Sequence, residues 1–204
     1  MGLINHKTKE VQLKIVYYGP ALCGKTTNLV KVHQQVETAQ QKGQMTSLDG
    51  GKGSDRTLFF DFLPLEAMSV YGYKTKFALY TVPGQVIYNT TRQLVLRGVD
   101  GLVFVADSQY DKMQENVESF QNMEDNLKSQ NIKIDDIPYV LQYNKRDLPN
   151  IAPIDYMEFL LNNRDIRVPA FEAAAATCVG VFETLNAITK LLIHKNFKQE
   201  IKAS

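Results

Sequence analysis

The chain has 204 residues, of which 44% are hydrophobic and 22% charged, and its formal net charge is +1. That size and mixture suit one domain, 1–204, with a single core. The near-zero charge, with Lys and Arg scattered along the chain, argues against nucleic acid or an anionic membrane as a partner. Cys23 and Cys178 are too few for a disulfide framework and fit a reducing compartment. No apolar stretch approaches the ~20 residues of a spanning helix. The opening MGLINHK lacks a signal peptide's apolar segment. Gly2 is not followed by Ser or Thr at position 6, which is His6, and the terminal IKAS holds no cysteine for a prenyl group. The expectation is a soluble cytoplasmic protein without a transmembrane segment.

In chain order, VQLKIVYY (11–18) reads as a strand and TTNLVKVHQQVETA (26–39) as the helix after it. TLFFDFLPL (57–65) and KTKFALYTV (74–82) are two more strands, joined through Gly72 as an antiparallel pair. GLVFVADS (101–108) is a continuous apolar run, as expected of a strand buried on both faces. MQENVESFQNMEDNLKSQ (113–130) is an amphipathic helix and IPYVLQYN (137–144) a second central strand. IDYMEFLLNN (154–163) is a helix, VPAFEAAA (168–175) a last strand, and VFETLNAITKLLIHKNFKQ (181–199) the closing helix. The alternation predicts an α/β fold: a mostly parallel six-stranded sheet with one antiparallel strand, and helices on both faces. The segment 40–56 is polar and holds four glycines, a composition typical of functional loops.

Between the first strand and its helix stands Gly19-Pro-Ala-Leu-Cys-Gly24-Lys25-Thr26, which fits G-x-x-x-x-G-K-[ST]. Glycines let the backbone wrap so that successive N–H groups face an anion, and the helix adds its positive end. Lys25 reaches β and γ phosphates, and the Thr26 hydroxyl ligates Mg²⁺. Gly19, Ala21, Leu22, Cys23, Gly24, Lys25, Thr26 and Thr27 are therefore candidate nucleotide contacts. The competing reading, an ordinary glycine turn between strand and helix, explains neither the lysine nor the threonine.

The strand 137–144 runs into Asn144-Lys145-Arg146-Asp147. Ligands of open α/β sheets sit beyond the carboxyl ends of the strands. An Asp147 carboxylate accepts two hydrogen bonds from an N–H/NH₂ edge, which guanine has and adenine lacks, and such a site rejects the base without it. Asn144 can brace the loop and the Lys145 stem can lie over the ring. Ala174-Ala175-Ala176-Thr177 follows the last strand, where the backbone N–H of Ala175 or Ala176 can meet the guanine carbonyl.

These motifs, with RTLFFDFLPL (56–65), LYTVPGQVIYNTTRQLVLRGVDGLVFVADS (79–108) and GVFETL (180–185), make the chain resemble the Ras-like small GTPases, and among them the bacterial MglA-type subgroup of gliding motility and cell polarity. The resemblance implies a switch that binds GTP or GDP with Mg²⁺ and hydrolyses GTP. It implies that Thr57 ligates Mg²⁺ beside Thr26, that the Gly84 N–H meets the γ-phosphate, that Gln85 orients the attacking water, and that Arg56 acts as an arginine finger in cis. It further implies a roadblock-type activating partner resembling MglB, effectors such as a RomR-like protein, and recruitment from the cytoplasm to a cell pole. Two residues depart from the wider pattern. Thr81 stands where most Ras-like proteins have an Mg²⁺-supporting Asp, so the metal should be held less firmly and hydrolysis should be slow without a partner. Ala21 stands where glycine is usual and should crowd the γ-phosphate.

Two alternatives remain at this level: a nucleotide-bound interaction module that barely hydrolyses, and a P-loop ATPase or kinase, which Asn144–Asp147 disfavours. Tyr17, Tyr18, Phe59, Phe60 and Phe62 are expected mostly in the core rather than on a partner surface. Cys23 is expected to fill the phosphate loop rather than to react, and Asp107 to cap a turn or line the site indirectly.

Overall fold

The computed structural model describes residues 3–5, 7–36, 44–47, 61–70 and 72–197. Arg56, Thr57, Phe59 and Phe60 lie outside them. Six main strands form one sheet in the order β4 (Asp61–Val70), β5 (Tyr73–Thr81), β2 (Glu10–Tyr18), β6 (Gly101–Asp107), β7 (Tyr139–Asn144) and β8 (Ala170–Glu172). All neighbours are parallel except β4 and β5, the hairpin turning through Gly72. Two short strands that hydropathy did not predict extend the sheet antiparallel: β1 (Leu3–Asn5) beside the start of β2, and β3 (Thr46–Ser47) beside β4.

Alternation along the strands sorts the core into two layers. Val16, Tyr18, Leu102, Phe104, Leu141 and Tyr143 face α2 (Asn89–Leu96), α3 (Met113–Lys128) and α4 (Ile154–Leu161). Leu13, Ile15, Tyr17, Val103, Val105 and Val140 face α1 (Lys25–Gln35) and α5 (Val181–Asn196). β6 and β7 are buried at every residue, which is why β6 reads as a continuous apolar run, while in β7 the buried Gln142 and Asn144 are hydrogen-bonded. Tyr17 and Tyr18 are both core, on opposite faces.

Helix α2 is the element the sequence did not reveal. Its buried face is Arg92, Val95 and Leu96, so a charge breaks the apolar stripe, and Asn89, Thr90 and Thr91 have low intrinsic helix propensity. The last strand is also shorter than expected. After Glu172 the chain leaves the ladder for a single tight turn, Ala175–Thr177, closed by the Ala174–Val179 bridge.

From β2 the chain crosses by α1 to β4 and β5 on one side. From β5 it crosses by α2 to β6 on the other. This reversal opens a crevice at the carboxyl end of β2, and the loops after β5, β6, β7 and β8 gather at the same rim. No described helix is long and apolar enough to cross a membrane.

Candidate functional site

The phosphate loop depends on its glycines. Gly19 has φ +146° and an added Cβ would lie 2.1 Å from the Val105 carbonyl oxygen. Gly24 has φ +104° and would place one 2.2 Å from Asn144 Nδ2. Gly24 is also the N-cap of α1. It offers no side chain, and the first turn holds no acidic residue, so the first N–H groups of the helix are left for an anion. Lys25 is buried, with its Nζ folded onto the carbonyl oxygens of Gly19 (3.0 Å) and Pro20 (2.6 Å). Burial pushes its pKa below the ordinary value, and the nearby Arg92 charge adds to this. A polyphosphate would bring Nζ a counter-charge that the two carbonyls do not provide. Cys23 is fully buried, and burial raises its thiol pKa, so it is a packing group and not a thiolate.

Beside Lys25 stands a carboxylate that the motifs did not reveal. Asp61, buried at the start of β4, accepts from the Thr26 hydroxyl at 2.5 Å and from the Thr81 hydroxyl at 3.1 Å through Oδ2. Its own N–H donates to Thr81 Oγ1 at 2.8 Å. Thr81 thus ties down a neighbouring acid. A lone Asp inside the apolar run TLFFDFLPL was the available signal, because a charge in such a strand must have partners.

The loop after β5 lies on the phosphate loop. A Cβ added to Gly84 would sit 2.3 Å from the Ala21 Cα and 2.6 Å from its N, so only glycine permits this approach. From behind, Arg92 of α2 holds the loop. Its guanidinium donates to the Pro83 carbonyl (Nε, 2.8 Å), the Gly84 carbonyl and Asn122 Oδ1 of α3 (2.6 Å), and it lies 5.2 Å from the Tyr18 ring centroid.

At the other end, Asn144 joins three segments. Its Nδ2 donates to the Cys23 carbonyl (2.7 Å) and its Oδ1 accepts from the Ala175 N–H (2.9 Å). Ala175 therefore spends its amide on bracing the loop, while Ala176 lines the cavity beside it. Lys145, at φ +67°, pairs its Nζ with the buried Asp107 Oδ2 at 2.6 Å. Asp107 also caps a turn by accepting from the Gln109 N–H. Arg146 anchors the loop from outside through the Ala152 carbonyl and Glu172. Asp147 is exposed at the cavity. Below the loop, Asn28 bonds reciprocally with Gln142, which also donates to Thr184, tying α1, β7 and α5 together.

Two adjoining cavities result. One, about 770 Å³, is lined by Ala21, Leu22, Gly24, Lys25, Thr26, Thr27, Asp61, Thr81, Gly84 and Gln85 among others. The second, about 190 Å³, is lined by Leu22, Gly24, Thr27, Asn144, Lys145, Asp147, Ala175 and Ala176 with Leu148. They share Leu22, Gly24 and Thr27, so the first suits a phosphate chain and the second a base. Gly19 and Cys23 stand behind them as framework. No group of three or more His, Cys, Asp or Glu able to hold a metal occurs among the described residues. Mg²⁺ held mainly by phosphates and water needs no such cage, and the Thr26 hydroxyl with a buried carboxylate beside it fits that cation.

The Ras family model matches residues 14–194. The "Mutual gliding-motility protein MglA" of Myxococcus xanthus is 52% identical over 193 residues, covering 95% of this chain and 96% of that protein. Similarity of that extent takes in every loop of the cleft just described, and on it the chain belongs to the Ras family, as an MglA-like small GTPase.

Proposed function

We propose that the chain is a guanine-nucleotide switch that hydrolyses GTP slowly by itself and is read by partner proteins in its GTP-bound state. The observation that carries this reading is the pair of joined cavities, one rimmed by Lys25 and Thr26 and the other by Asn144 and Asp147. The Asp147 carboxylate would accept from the guanine N–H/NH₂ edge, with Lys145 flanking the ring and the Ala175–Ala176 turn closing over it. Lys25 would leave the Gly19 and Pro20 carbonyls for the β and γ phosphates. Thr26, with Thr57, would hold Mg²⁺, the Thr26 hydroxyl still donating to Asp61 so that its oxygen lone pairs face the cation. When bound, the cation offsets charge that develops on the phosphoryl oxygens. Gln85 would orient water, and Arg56 would stabilise charge in the transition state.

A roadblock-type partner would speed hydrolysis, and pole-associated effectors would read the switch, placing the protein in bacterial polarity and surface motility. Support for that setting comes from the gliding-motility relative. The test is multiple-turnover phosphate release from GTP with Mg²⁺, alone and with a roadblock partner, beside Ala21→Gly. Slow release that rises with the partner, and rises in the glycine variant, is expected. Tight GTP binding with no release in any mixture would replace the switch with a non-hydrolysing module.

A further inference from the structure

Arg92 is fully buried, yet it has no carboxylate partner among the described residues. Burying a guanidinium is costly unless its donors are used, and apolar side chains of similar volume often serve packing as well or better. Its donors go to two consecutive carbonyls of the loop after β5 and to one α3 side chain. The α3 side is itself set. Asn122 Oδ1 also accepts from the Tyr18 hydroxyl at 2.6 Å, while Asn122 and Asn126 both donate to Asn89 at the start of α2. The guanidinium is thus held in one place by α3, β2 and α2 before it touches the loop.

The Pro83–Gly84 peptide is a rigid trans plane, in which C=O and N–H point in opposite directions. Arg92 Nε fixes the Pro83 oxygen from inside the protein. The Gly84 N–H must then point away from Arg92, and Pro83 and Gly84 line the cleft on that other side. A cation on the oxygen also polarises the amide and makes its N–H a stronger donor.

We infer that Arg92 is a positioning residue that aims and strengthens the Gly84 N–H toward the terminal phosphate of a bound nucleoside triphosphate, so that it sets the preference for triphosphate over diphosphate. The inference rests on the guanine-nucleotide reading of the cleft. It adds that discrimination of the γ-phosphate depends on a buried residue that touches no ligand.

The test compares affinities for GDP and for the non-hydrolysable analogue GMP-PNP, by fluorescent-nucleotide titration with Mg²⁺, in the wild-type protein, Arg92→Met and Arg92→Lys. Loss of a charge-assisted hydrogen bond predicts about tenfold weaker analogue binding in Arg92→Met, with GDP affinity within about twofold of wild type. Arg92→Lys, which keeps the charge but not the planar fork that spans both carbonyls and Asn122, should fall between wild type and Arg92→Met. The Gly84 amide proton should move downfield on analogue binding in the wild type and less in either variant. Parallel weakening of GDP and analogue, or no change in either, would overturn the inference while leaving the nucleotide site standing. If Arg92→Met does not fold, Arg92→Lys decides on the same criterion. A wild-type protein that binds no guanine nucleotide would instead overturn the reading of the cleft itself.

Discussion

Asp61 decides how the absence of an acid at position 81 is to be understood. The sequence comparison of position 81 alone predicts a weakly held metal, because a hydroxyl replaces a carboxylate. The structure places a carboxylate in contact with that hydroxyl, delivered by the antiparallel neighbour strand and bonded also to Thr26. An outer-shell acid that orients a metal-ligating hydroxyl typically contributes 10–100-fold to metal affinity. Asp61→Asn is therefore expected to raise the Mg²⁺ concentration needed to retain GDP by about tenfold or more. GDP release rates across a Mg²⁺ titration measure this, and an unchanged midpoint would show that Asp61 is only a strand anchor. Asp61 was within reach of sequence reasoning, as a lone acid among Phe and Leu. Its partners were not, since pairing Asp61 with Thr81 requires the β4–β5 register.

Among the elements, the six main strands and the α1, α3, α4 and α5 helices were legible because each has a recognisable period or a largely apolar run. Helix α2 was hidden for the reason that makes it useful: an inward position carries Arg92, whose donors serve the loop before it. The bases of the phosphate and Asn144–Asp147 loops were legible as motifs. Their mutual bracing through one side chain was not, because Cys23, Asn144 and Ala175 are far apart in the chain and meet only at the rim of the sheet. Asn144→Ala would leave the buried Cys23 carbonyl and Ala175 N–H without partners, at about 1–3 kcal/mol for each group so stranded. The expected result is a loss of about 2 kcal/mol or more in denaturant-induced unfolding, together with weaker nucleotide binding. A variant as stable as wild type would mean that water replaces the Asn144 amide.

At the scale of the molecule, two apolar layers hold one sheet, and the buried phenols of Tyr17 and Tyr143 lie on opposite sides of it. Burial raises both pKa values, and for Tyr143 a hydrogen bond with Glu158 adds to the effect. The unfolded phenols titrate near pH 10. Because the folded pKa is the higher one, the protonated phenols stabilise the fold below about pH 10, and that stability is lost as pH rises beyond it. The buried Tyr17 hydroxyl has no hydrogen-bond partner among the described residues, so Tyr17→Phe should cost little or be stabilising at pH 7 and should blunt the alkaline loss. Unfolding midpoints at pH 7 and above pH 10 check both statements, and an equally steep alkaline decline in the variant would place the sensitivity elsewhere.

The whole arrangement converges on one cleft with a phosphate end and a base end, and its central claim is that the base is guanine. The most direct measurement is displacement of a fluorescent GDP from the purified protein by GTP, GDP and ATP, in the wild type and in Asp147→Ala. Displacement is expected with GTP and GDP but not with excess ATP, together with loss of guanine-nucleotide binding in the variant and retention of its fold. Displacement by ATP at concentrations comparable to GTP, or a variant that binds GTP normally, would contradict it.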